Sequence, residues 1–200
     1  PRGLGELALH DHEFADEIHE GVELLGVDAH GLVADARADG GGRLQGVGVL
    51  AGLVGIGVVL RPRTVFASNS ERWPYAVFFA GMVLTGLGSA YYHLVPDNER
   101  LFWDRLPMTI AFMSLIAAQV VDRIATKPGL ALLVPMLLVG AASVLYWRVT
   151  ERAGAGNVMP YAVLQGYSVV ILFLMALLQP SRYTRGNDIY WVFAGYLLAK

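Results

Sequence analysis

Residues 128–147 read PGLALLVPMLLVGAASVLYW, twenty consecutive positions without a charged side chain. An α-helix rises 1.5 Å per residue, so about 20 apolar residues match the ~30 Å hydrocarbon core of a bilayer. Tyr146 and Trp147 close the run with rings suited to the headgroup level, and Arg148 follows at once. The run lacks the strict alternation of a barrel strand, and an open sheet would leave backbone groups unsatisfied in lipid. It therefore reads as a membrane-spanning helix.

The rest of the chain repeats this pattern. Upstream, apolar runs lie between Arg43 and Arg61, from about Pro74 to Val95, and from Leu106 to Val121. Downstream, one runs from about Val158 to Leu178, and a sixth starts near Ile189. Short polar links separate them: Arg61-Pro-Arg63, Pro96-Asp-Asn-Glu-Arg100 and the stretch from Arg182 to Asp188. The composition agrees. Charged residues make up 16% of the chain, against about 25% in soluble domains, and mean hydropathy is +0.48. The charge is also uneven. Residues 1–43 hold ten acidic side chains and three arginines, net −7, whereas the remaining 157 residues carry net +5. The sequence thus predicts an all-α, polytopic membrane protein with an acidic polar segment at 1–43 and a helical domain at 44–200. Without cysteine, disulfides and thiolate metal sites are excluded. No concentrated basic patch exists, which argues against nucleic-acid binding. Oligomeric state is not legible.

Lysine and arginine counts in the short links set an expected orientation. The first, third and fifth links hold Arg61, Arg63, Arg72, Arg123, Lys127, Arg182 and Arg185; the second and fourth hold Arg100, Arg105, Arg148 and Arg152. Seven against four places the odd links inside and the N-terminus outside.

The second span carries Gly81, Thr85, Ser89 and His93 at intervals of four, one slowly drifting stripe on a helix. Ser89 and His93 would stand about 6 Å apart. Asp104 comes eleven residues after His93 and is expected at the mouth of the third helix, with Pro107 in its first turn. The three residues would converge at one membrane face. Such a set suits a serine nucleophile with a histidine base, or a metal site in which His93 is a ligand and zinc activates water. It equally suits a structural role, with Ser89 bonded to a backbone carbonyl and His93 at the headgroup level. Gln119, Gln165, Ser114, Ser143 and Ser168 lie within spans and are expected to hydrogen-bond between helices. His10, His12, His19, Glu13, Glu17 and Glu20 read as a solvated acidic tail rather than a metal cluster.

The run Gly88-Ser-Ala-Tyr-Tyr-His93, followed by Pro96-Asp-Asn-Glu-Arg-Leu-Phe-Trp-Asp104-Arg-Leu-Pro-Met-Thr109, resembles the alkaline ceramidase family. That family belongs to a group of seven-helix membrane hydrolases that includes the progestin and adiponectin receptors and hemolysin III-like proteins. The resemblance covers about residues 60–200, most closely to bacterial-type members. It implies a seven-helix bundle with about six helices present here, zinc (Zn2+) as cofactor with His93 as a ligand, and Ser89 and Asp104 beside the metal-bound water. It also implies hydrolysis of ceramide-like lipids to a sphingoid base and a fatty acid, in a bacterial inner or plasma membrane. The family's His-x3-His on helix seven has no counterpart, since the histidines are His10, His12, His19, His30 and His93. A C-terminal truncation is therefore expected, and with it loss of amide hydrolysis by this chain. Residues 17–42 also depart from the family's Asn-rich entry into helix one. The competing expectations are a non-enzymatic, receptor-like relative and a transporter; the latter would call for paired broken helices, and no such symmetry is present.

Overall fold

A computed structural model of the protein describes residues 42–61 and 66–183. The described residues form five α-helices: α1 (Gly42–Leu60), α2 (Trp73–Leu94), α3 (Asn98–Arg123), α4 (Thr126–Arg152) and α5 (Met159–Leu178). The chain divides into two units, residues 1–47 and 48–200. Only the opening turns of α1 are described in the first. The expected sixth span and the acidic tail lie outside the described residues.

Helices α2 to α5 are each long and apolar enough to cross a membrane; the apolar stretch of α1, Gln45–Leu60, is shorter. No strand occurs among the described residues. Leu138, Val139, Val163, Tyr167, Phe173 and Leu177 are exposed along α4 and α5. In water so broad an apolar surface would be a liability, whereas lipid tails match it. The protein is a helical membrane protein.

The third helix is the axis of the bundle. The sequence predicts a short third span opening at Leu106, but α3 begins eight residues earlier. Asp97 caps it, accepting a hydrogen bond from the Arg100 amide at 2.7 Å. The apolar run marked only the part that sits in hydrocarbon, and the cap lay in what read as a link. With 26 residues, α3 spans about 39 Å. Every residue from Met113 to Arg123 is buried. Met113, Leu115 and Ile116 pack with Leu172 of α5 at mid-height, while Phe102, Val144, Trp147 and Tyr161 form a second cluster towards the other end.

Close approach of α2 and α3 depends on two glycines. A Cβ on Gly81 would lie 2.9 Å from the Ala111 backbone nitrogen, and one on Gly88 would collide with the Trp103 carbonyl. Small residues that let backbones touch are the main source of helix pairing in lipid, where no hydrophobic force acts between helices. Seven residues separate the two glycines, and seven separate Ala111 from Asp104, so the antiparallel register is constant.

The buried serines follow a different rule from the one expected. Ser114, Ser143 and Ser168 donate to carbonyls of their own helices, at Ile110, Gly140 and Leu164. Gln119 accepts from Arg123 of the same helix at 2.6 Å. A hydroxyl buried in a helix finds its i−3 or i−4 carbonyl without help from a neighbouring helix.

Candidate functional site

The seam between α2 and α3 positions the residues singled out from the sequence. Pro107 lies in the interior of α3, not in its first turn. It has no N–H, so the Trp103 carbonyl four residues back loses its helical donor and is pushed away by the proline ring. That same carbonyl faces Gly88. Glycine and proline act together here: one exposes a carbonyl, and the other lets α2 close upon it, with a Cα–H as its weak partner. Asp104 is the next residue, and its Cα is also against Gly88.

Ser89 follows Gly88 by 100° around α2 and is therefore beside this seam, half-buried. His93 is further out. The register that pairs Gly88 with Asp104 leaves His93 five residues past that level, about 7.5 Å along the axis. Its ring is exposed and lies edge-on to Tyr92, with centroids 5.4 Å apart. Thr85, the middle of the stripe, is satisfied by the Gly81 carbonyl at 2.8 Å. The seam thus brings the Ser89 and Asp104 positions to one level of the bundle, while His93 stands towards the surface.

Zinc, as the resemblance implies it, needs three protein ligands in a catalytic site. Among the described residues no group of three His, Cys, Asp or Glu side chains could hold a metal. His93 and Asp104 alone do not fit the ion.

On the α4 side of Asp104 is a feature the sequence reading missed. The Arg105 guanidinium lies 4.3 Å from the Trp147 ring centroid and 5.4 Å from that of Tyr161. The Tyr161 hydroxyl lies 3.7 Å from the Met108 sulfur. Nearer the surface, Glu99 pairs with Arg148 and, at 2.8 Å, with Arg152. Nothing in the spacing of Arg105, Trp147 and Tyr161 announces their meeting, because it depends on three helices.

A second polar cluster occupies the opposite end, where α2 begins and α3 finishes. Asp122, 2% exposed, accepts from the Ser181 hydroxyl at 2.7 Å and from the amides of Arg182 and Tyr183 at 2.8 and 3.2 Å. Glu71, 6% exposed, accepts from the Ala67 and Ser68 amides, the Thr126 hydroxyl and the Tyr183 hydroxyl. Burial pushes the Glu71 carboxyl up. The bonds from Tyr183, Thr126, Ser68 and Ala67 together outweigh that and hold it below the ordinary glutamate value. The Tyr183 phenol is pushed up by burial, then by its bond to Glu71 and by the charges of Glu71 and Asp122. Arg123 donates to the Gln179 carbonyl at 2.5 Å. Ser68-Asn-Ser-Glu71 is a Ser-x-x-Glu capping pattern, a signal in the sequence that could have marked Glu71.

No family model, curated protein or solved structure matches the chain.

Proposed function

We propose that the protein is a membrane-embedded hydrolase of ceramide-like lipid amides, seated in a plasma or bacterial inner membrane. The observation that carries this reading is the Gly88 contact with the Asp104 backbone, which holds the Ser89-x3-His93 segment against the helix that carries Asp104. A long-chain amide is already dissolved in the bilayer, so a site at the end of two spanning helices meets it without extraction. Asp104 is the group that takes a proton from water and returns it to the leaving amine. Ser89 donates to the developing oxyanion. His93 is the zinc ligand the resemblance implies. The described residues do not complete that metal's shell.

The test is release of sphingoid base from a long-chain ceramide by protein expressed from its complete reading frame and reconstituted in nanodiscs. Asp104→Asn and His93→Ala are each expected to lower turnover by roughly 10² or more, with the helix content unchanged. Full turnover in both variants would end the proposal. A receptor-like, non-enzymatic role is the second reading, favoured by the axial distance of His93 from the Asp104 level. It predicts no ceramide turnover in any variant.

A further inference from the structure

Arg105 carries a charge that the described residues leave without a hydrogen-bonded counter-group. One of its terminal nitrogens is buried and has no acceptor. Arg72 and Arg148 also each leave Nε buried without a partner, but both reach an acceptor through a terminal nitrogen, Asn69 and Glu99. Arg100 pairs with Asp97, Arg123 with Gln119 and Gln179, and Arg152 with Glu99; Arg105 has no such acceptor among the described residues. The aromatic faces of Trp147 and Tyr161 attract the cation, yet neither face replaces an acceptor in the plane of the guanidinium. Gln165 has the same deficiency: its amide nitrogen is buried without an acceptor. Gln165 stands four residues after Tyr161 on α5, so both project from one face of that helix. Arg105 lies against Tyr161, and the Gln165 donor follows about 6 Å further along the same face of α5. A buried donor without a partner calls for a missing water, ion or ligand.

The depth of Arg105 narrows the choice. Counting a ~30 Å core back from Asp122–Arg123 at 1.5 Å per residue covers about twenty residues and ends near Trp103. Arg105 is at the boundary between hydrocarbon and headgroups. The fork of a guanidinium matches a carboxylate or phosphate through two parallel hydrogen bonds.

We propose that Arg105, framed by Trp147 and Tyr161 and joined by Gln165, binds the oxyanion headgroup of an amphiphile. Two sources share this chemistry: the phosphate of an anionic phospholipid and the carboxylate of a long-chain fatty acid. The site uses neither Ser89 nor His93 and stands independently of the hydrolase reading.

The experiment follows Trp147 fluorescence in the 200-residue chain with Trp73, Trp103 and Trp191 replaced by Phe, in nanodiscs of neutral phosphatidylcholine. Brominated fatty acid, brominated phosphatidylglycerol and brominated phosphatidylcholine are added in separate arms. Saturable quenching by either anionic probe, in excess of the neutral one, is expected and names the source. Loss of a charge-assisted pair is worth about 1.5–3 kcal/mol, so Arg105→Gln weakens that binding at least about tenfold. Gln165→Leu keeps the cation and weakens it about threefold, with helix content by circular dichroism as the control for folding. Equal quenching by anionic and neutral probes, or undiminished binding in both variants, overturns the proposal.

Discussion

The two ends of the α2–α3 hairpin are both polar, and they handle polarity in opposite ways. At the end where α2 begins, Glu71 and Asp122 are buried and each accepts several hydrogen bonds from neighbouring segments. At the other end His93 is exposed, and Arg105 is partly buried with a donor unanswered. A carboxylate that already accepts three or four bonds has little acceptor capacity left for a ligand. Its work is to hold segments together. A cation without an acceptor, or an imidazole with a free face, retains that capacity. The difference separates an end that locks the fold from an end that is available for chemistry, although both look alike as charged links in the sequence.

The largest expected effect lies at the locked end. Asp122→Ala removes at once the acceptor shared by the Ser181 hydroxyl and the Arg182 and Tyr183 amides. Breaking a buried, charge-assisted network of this kind costs about 3 kcal/mol. The measurement is unfolding of the reconstituted chain by titrated denaturing detergent, followed by circular dichroism. The chain has no cysteine, so a single cysteine placed at Ala67 would also report local opening through its labelling rate. A loss below about 0.5 kcal/mol, the level of an ordinary surface substitution, would erase the distinction drawn between the ends.

A smaller effect is expected at Glu71, and it depends on pH. Its folded carboxyl sits below the ordinary value of 4.5, so the ionised form favours the folded state. The stability it contributes is complete above 4.5 and is lost as pH falls through the folded value. Tyr183, whose phenol is pushed up, stays neutral across this range and continues to donate. Lowering the pH from neutral should therefore destabilise the wild type more steeply than Glu71→Gln. Parallel curves for the two proteins would remove Glu71 from the lock.

How much of this was legible depends on what each residue answers to. The spans at α2, α4 and α5 were readable within a few residues because lipid imposes one requirement on every position of a run. The start of α3 was not, because Asp97 works through a local cap that hydropathy does not register. Ser89, His93 and Asp104 were expected at one membrane face, and the proximity of Ser89 and Asp104 was legible from spacing, since they sit on a tight hairpin with a three-residue link. The asymmetry of the pair could not. It is set by a register that Gly81 and Gly88 fix and by Pro107 deep in α3, and a sequence shows residues but not the level at which two helices meet. The clasp of Asp122 on residues 181–183 bridges about sixty positions and has no local signature.

The smallest stability effect should fall on His93, and it bears directly on the comparison. Its ring is exposed, packs edge-on to Tyr92, and stands one turn or more beyond the Asp104 level. Truncation leaves no cavity and strands no buried partner. His93→Ala is therefore expected to change unfolding free energy by no more than about 0.5 kcal/mol, measured in the same detergent titration as Asp122→Ala. The value matters because an exposed histidine that is neutral for stability but required for turnover can only be serving the reaction. If His93→Ala instead costs as much as Asp122→Ala, His93 belongs to a second lock, and the case for a reactive end then rests on Asp104 and Ser89.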